Sequence, residues 1–163
     1  MATMSLDRHL CFALYSASRA MTAAYRPILT ELNLTYPQYL VLLVLWEDER
    51  VTVGRLGERL QLDSGTLSPL LKRLEANGFV RRERSSDDER LVDVTLTPAG
   101  RRLERKAQCI PEELFGSAGM TEKEAADLRD AVRHLTDALT HHYERNPHEG
   151  PLHRRSTDHR RRT

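Results

Sequence analysis

The feature that most narrows the fold lies between Val53 and Leu96, where apolar spacing switches from helical to alternating. Val53 to Leu60 has helical spacing, and the turn Gln61-Leu62-Asp63 interrupts it. A second helix, capped by Ser64, is expected to run to about Asn77. Gly78 stands where a helix C-terminal glycine belongs. Two extended arms follow, Phe79 to Arg84 and Leu91 to Leu96. In the second arm Val92, Val94 and Leu96 alternate with Asp93 and Thr95. The tip between the arms, Ser85-Ser86-Asp87-Asp88-Glu89, is polar, and Val51-Thr52 reads as one more short strand.

Two short helices joined by a tight turn and followed by a β-hairpin predict a winged helix-turn-helix. Flanking helices complete the picture. Ser5 caps a long helix over 6–31, with a bend allowed at Pro27. Thr35 caps the next helix, which carries Leu40, Leu43, Val44 and Trp46. Thr97-Pro98 opens a helix that continues through Leu103 and Ala107 towards Leu114. Gly116 to Gly119 breaks it. Thr121 with Glu124 then forms a capping box for a last helix to about Glu144. Residues 145–163 are rich in Arg, His and Pro and are expected to be disordered. The fold class is mainly α with a small β-hairpin. One domain is expected over 1–144, with the helix-turn-helix and hairpin forming a lobe over about 51–97.

A chain of 163 residues suits one domain with an appendage. The longest apolar run, Tyr39 to Trp46, is far short of a membrane span. The first residues lack the layout of a signal peptide, so a cytoplasmic location is expected. Two cysteines, Cys11 and Cys109, suit reduced thiols better than a disulfide scaffold. The net charge of +1 announces no nucleic acid, but its distribution is uneven. Lys72, Arg73, Arg81, Arg82, Arg84, Arg90, Arg101, Arg102, Arg105 and Lys106 crowd residues 72–106, while Glu47, Asp48 and Glu49 lie apart. The histidines, His134, His141 and His142 among them, form no tight ligand cluster in the sequence, and neither metal nor cofactor is expected.

The second helix of the pair has two faces. Leu67, Leu70, Leu71 and Leu74 hold it down, while Ser64, Thr66, Ser68, Lys72 and Arg73 face outward, with Pro69 among them. Short hydroxyls near its N-terminus suit base edges in a major groove, and the cations further along suit phosphates. In the hairpin, Arg84, Asp88 and Arg90 are the candidate contacts. Asp88 and Arg90 would share a face of an extended hairpin, with the aspartate holding the arginine for a narrow minor groove.

The segment VTVGRLGERLQLDSGTLSPLLKRLEANGFVRRERSSDDERLVDVTLTPAG resembles the winged helix of the multiple-antibiotic-resistance (MarR) regulators. The resemblance covers about residues 6–144. It implies a homodimer whose interface is built from helices at both chain ends, here about 6–31 and 98–144. It also implies a repressor of a pseudo-palindromic double-stranded operator, with half-sites roughly 34–36 Å apart. Cys11, Tyr15, Tyr25 and Tyr36, with the run LTYPQYLVLLVLWE, resemble the organic-hydroperoxide-resistance branch. That likeness implies that Cys11 is the sensor and that its thiolate accepts hydrogen bonds from Tyr25 and Tyr36 of the partner subunit. Oxidation to a sulfenic acid would then release DNA. The helix rise puts Cys11 and Tyr25 about 21 Å apart along one helix, so they meet only if two helices cross. Within this branch Cys109 is either a resolving thiol or an idle one, and a low-molecular-weight thiol is the other resolving partner.

Two other classes of function stay open. The tyrosines of the N-terminal third could line a pocket for a lipophilic or phenolic ligand that releases DNA. A thiol peroxidase would share the first step at Cys11, yet no nucleophile–base motif or nucleotide loop accompanies it, so an enzyme is not expected.

Overall fold

The computed structural model describes residues 5–86 and 88–145. The chain divides into two compact units, one ending at Leu114 and one beginning at Phe115. In the first, a 3-10 turn (Leu6–Arg8) precedes α1 (Leu10–Glu31) and α2 (Tyr36–Asp48). Then come β1 (Arg50–Thr52), α3 (Val53–Leu60), α4 (Ser64–Ala76), β2 (Val80–Arg84), β3 (Val92–Leu96) and α5 (Pro98–Ala107). The boundary falls inside α6 (Ile110–Ser117), and α7 (Glu122–Arg145) belongs to the second unit. This is the expected mainly helical fold with a small sheet.

The core of the first unit is centred on α2. Val41, Leu42 and Leu45 are fully buried, and Tyr39 and Val44 nearly so. A helix apolar around most of its circumference must be covered on most sides. Accordingly α2 packs against α1, α3, α4, α5, β1 and β3. Its start is set by Gln38, whose Oε1 accepts the Thr35 N–H at 2.8 Å. Pro37 falls in the first turn, where a missing N–H has no consequence. No single helix among the described residues is long and apolar enough to cross a membrane.

The sheet has the order β1-β3-β2 and is antiparallel throughout. Its hairpin connects back to the helices through a tight knot. The Thr97 hydroxyl donates to the Gly78 carbonyl at 2.6 Å and accepts the Gly100 N–H at 3.1 Å. Trp46 Nε1, from α2, donates to the Gly100 carbonyl at 3.0 Å. A Cβ on Gly100 would lie 2.2 Å from the Phe79 carbonyl oxygen, so only glycine fits there.

Several sequence expectations are corrected. Ser5 makes no side-chain cap, and α1 starts only at Leu10. Asp63, not Ser64, caps α4, because its carboxylate reaches the Thr66 N–H at 2.9 Å while Ser64 is already helical. The helix from Pro98 does not continue to Leu114. It ends at Ala107, and α6 restarts at Ile110. The alternation in β3 holds over Val94, Thr95 and Leu96 but fails at its start. Asp93 is only 7% exposed, and Val92 is the exposed residue. Asp93 is buried because Arg50 covers it, with Nε 2.8 Å from its Oδ2. Leu70 is half-buried, so Leu67, Leu71 and Leu74 do most of the anchoring of α4. Arg145 closes α7, and the rest of the tail expected to be disordered lies outside the described residues.

In the second unit the Thr121–Glu124 capping box forms as read, with the Thr121 N–H 2.9 Å from Glu124 Oε2. Leu128, Val132 and Leu139 of α7 are exposed.

The glycine contacts make a stability prediction. Gly100→Ala should destabilise the fold by about 3 kcal/mol or more, the upper range for overpacking. Gly116→Ala, with no atom near its would-be Cβ, should be neutral or slightly stabilising in its helix. Urea denaturation of both variants checks this, and equal stabilities would contradict it.

Candidate nucleic-acid interface and thiol site

The outer face of α4 begins at its cap. Asp63 takes both the Thr66 N–H and the Thr66 hydroxyl, each at 2.9 Å. These Thr66 hydrogen bonds hold the carboxyl below its usual range. Asp63 thus fixes the first turn and aims Thr66. Ser64, Thr66, Pro69, Lys72 and Arg73 are exposed and Ser68 is half-buried, so all six expected contacts lie on or beside one helix surface. Pro69 stands inside the helix, where it forfeits a backbone hydrogen bond. A residue that breaks a local rule on an open surface often marks a functional face.

The hairpin tip is a turn, not the extended pair that the spacing suggested. Asp88 Oδ1 accepts the backbone N–H of Arg90 at 3.0 Å, and the Asp88 carbonyl accepts the Leu91 N–H at 2.9 Å. Asp88 therefore shapes the backbone that carries Arg90, rather than gripping its guanidinium. Arg84 and Arg90 are both exposed.

Ion pairing divides the cations that the sequence had grouped together. Arg82 is committed to Glu75, Arg81 to Glu83 and Arg101 to Glu49. Arg59 holds Glu47 and Asp48, and Arg50 holds Asp93. Among the described residues, no ion pair engages Lys72, Arg73, Arg84 or Arg90, nor Arg102, Arg105 or Lys106 of α5. These seven remain available to an anionic partner, and the first four lie on α4 and the hairpin. Glu75 was not singled out in the sequence. Its carboxylate is held below the ordinary range, chiefly by the Arg82 side chain. Nothing in a one-dimensional reading pairs these residues, because the turn at Gly78 brings them together.

The thiol candidates are spread out. Cys11 lies in the first turn of α1 and is exposed, among exposed Leu10, Phe12 and Tyr15. The Tyr15 hydroxyl accepts from Arg19 Nη1 at 2.9 Å, and that guanidinium sits 5.6 Å from the ring centre. Tyr25, only 5% exposed, packs on Tyr36 with ring centres 5.1 Å apart. Tyr39 and Trp46 extend the aromatic cluster. Burial pushes the Tyr25 phenol up to about 12, and burial also raises Tyr36 and Tyr39. These phenols keep their protons at neutral pH and so stay hydrogen-bond donors. Cys11 and Tyr25 share α1 at the ~21 Å separation its rise dictates, so one chain does not bring them together. Cys109 is exposed in the break between α5 and α6. A hydrogen bond to Glu113 pushes its thiol up, which disfavours the thiolate.

Known proteins resemble this chain in sequence and fold. Residues 23–106 match the family described as transcriptional regulator SarA/Rot. The chain is 48% identical to the organic hydroperoxide resistance transcriptional regulator of Bacillus subtilis, over 83% of this chain and 92% of that protein. It is 54% identical to the HTH-type transcriptional regulator TtmR of Methylorubrum extorquens, over 83% of this chain and 69% of that one. Reduced, DNA-bound AbfR, a Staphylococcus epidermidis protein, superposes with a TM-score of 0.69 at 36% identity, covering 83% of this chain and 93% of AbfR. AbfR has also been solved overoxidised on DNA and in a disulfide-formed state. The chain belongs to the SarA/Rot, MarR-like family of winged-helix, DNA-binding transcription regulators.

Proposed function

We propose that this regulator is a dimeric repressor that senses organic hydroperoxides through Cys11 and releases its operator when that thiol is oxidised. The observation that carries the reading is the separation along α1. An exposed thiol stands in the first turn, and two protonated phenols, buried Tyr25 and half-buried Tyr36, gather near the other end. Two copies of α1 crossing in opposite directions would place Cys11 of one against Tyr25 and Tyr36 of the partner subunit. The exposed Leu6, Leu10, Phe12 and Met21 supply apolar surface for such a seam. The likeness to the Bacillus hydroperoxide regulator supports a peroxide signal, and the likeness to AbfR, known reduced on DNA and in a disulfide-formed state, supports a redox-active cysteine.

The chemistry is a two-electron oxidation. The Cys11 thiolate attacks the O–O bond of the hydroperoxide, giving a sulfenic acid and an alkoxide that leaves as the alcohol after taking a proton. The phenols, as donors, stabilise the attacking thiolate. The larger, polar product disturbs the seam, and the lobes bearing α4 and the hairpin move. Roughly 5 kcal/mol of differential stabilisation empties a well-occupied operator. Cys109, bound to Glu113, is a poor thiolate, which favours a low-molecular-weight thiol as the resolving partner.

On DNA, α4 enters the major groove with Ser64, Thr66, Ser68 and Pro69 towards bases and Lys72 and Arg73 towards phosphates. The turn built by Asp88 presents Arg90, flanked by Arg84, to the adjacent minor groove.

Three outcomes are expected. Wild type should lose its operator on treatment with an organic hydroperoxide and regain it with a thiol reductant, whereas Cys11→Ser should bind throughout. Fluorescence anisotropy with DNA upstream of the protein's own gene reads both. Binding by both proteins with no response to peroxide would shift the signal to a small lipophilic or phenolic ligand. Tyr25→Phe and Tyr36→Phe should each slow Cys11 oxidation about tenfold, the worth of one hydrogen bond to a charged group. Trapping of the sulfenic acid over time measures this, and wild-type rates in both would sink the activation scheme. Arg90→Ala should weaken operator binding about tenfold and lower the salt slope by about one, with unchanged affinity counting against the wing contact.

A further inference from the structure

β2 lies at the edge of the sheet, where outward backbone N–H groups are open to any acceptor. The acceptor at Arg82 is Glu75, in the last turn of α4. Its Oε1 takes the Arg82 backbone N–H at 3.1 Å, and its Oε2 takes Arg82 Nε at 3.0 Å and Nη2 as well. One carboxylate thus holds a single residue by main chain and side chain together. The link between the two elements is short and turns at Gly78 with φ +74°, while the Phe79 N–H returns to the Leu74 carbonyl at 3.0 Å. Backbone hydrogen bonds hold the turn and apolar packing joins Leu74 and Val80 in the core, but among the described residues the Glu75 grip is the side-chain hydrogen bonding from α4 to the strand that leads to the wing tip. The Arg82 guanidinium is spent on this contact, so it is not a phosphate ligand in waiting.

We propose that Glu75 is a positioning residue for operator binding: through Arg82 it fixes the wing relative to the recognition helix, so that both grooves are engaged at once. The distance from a major groove to the next minor groove is set by DNA, and the two contacts reinforce each other only if the protein holds them at that spacing. The inference rests on the wing contact proposed above, which Arg90→Ala tests by itself.

The test uses full-length, reduced protein at fixed salt, with the operator duplex and a scrambled duplex of equal length. Glu75→Gln keeps the side-chain volume and an acceptor for the Arg82 N–H but loses the charge. By electrostatics alone, removing an anion near DNA tightens binding to both duplexes. Positioning requires the opposite for the operator: about tenfold weaker binding, the scale of coupling within one hydrogen-bonded network, with the scrambled duplex unchanged or tighter. Arg90→Ala should also cost less in the Glu75→Gln background than in wild type. If Glu75→Gln does not fold, Arg82→Lys carries the same test, since it keeps the charge and loses the two-pronged grip. Operator affinity equal to or tighter than wild type overturns the inference, as does strict additivity with Arg90→Ala. If Arg90→Ala alone has no effect, the wing reading falls and this inference falls with it. If Arg90→Ala has its expected cost but is additive, only this inference is lost.

Discussion

Covering α2 on nearly every side is the constraint from which the rest follows. Thirteen residues with an apolar surface all round are stable only when six other elements close over them. That requirement draws α1, α3, α4, α5 and the sheet into one unit. It also gives the helix-turn-helix a rigid floor, since Leu67, Leu71 and Leu74 of α4 lock into the same core. The acids at the C-terminal end of α2 are unfavourable against the helix dipole, and Arg59 and Arg101 offset them while tying α3 and α5 to that end.

Electrostatics on the DNA side are organised by exclusion. The sequence shows a run of basic residues with little to rank them. In the folded protein three of the eight arginines named there, Arg81, Arg82 and Arg101, are held by carboxylates, and among the described residues the cations on α4 and the hairpin tip are not. Exposed pairs of this kind add little stability. Their effect is geometric: Arg50 with Asp93 secures the root of the hairpin, and Arg82 with Glu75 ties it to the recognition helix.

The thiol chemistry depends on a different constraint, the length of α1. A 22-residue helix keeps its two ends apart, so in the proposed function the thiol at one end and the phenols at the other form a site only between two copies. Sensing and assembly are thereby the same event in the proposed function, and a change at the sulfur is felt by both DNA-binding lobes.

Much of this was legible without coordinates, because it is local. Helical and alternating periodicities, the cap-then-proline at Thr97-Pro98, the capping box at Thr121 and Glu124, and the motif around the wing each depend on residues a few positions apart. Short-range hydrogen bonding and side-chain period decide such features. The cap of α4 was misplaced by one residue because Asp63 and Ser64 are equally good caps, and only the carboxylate's reach to Thr66 separates them. Asp93 could not be read as buried, since Arg50 lies 43 residues away and alternation knows nothing of what covers a strand's second face. The Glu75–Arg82 grip and the close approach of Gly100 to Phe79 were hidden for the same reason. The amino-acid order by itself determined which segments form and which residues are chemically able to act. Only the tertiary structure decided which charges are spent inside the protein and which stay unpaired at the described surface, because that depends on distances between residues the chain brings together by folding.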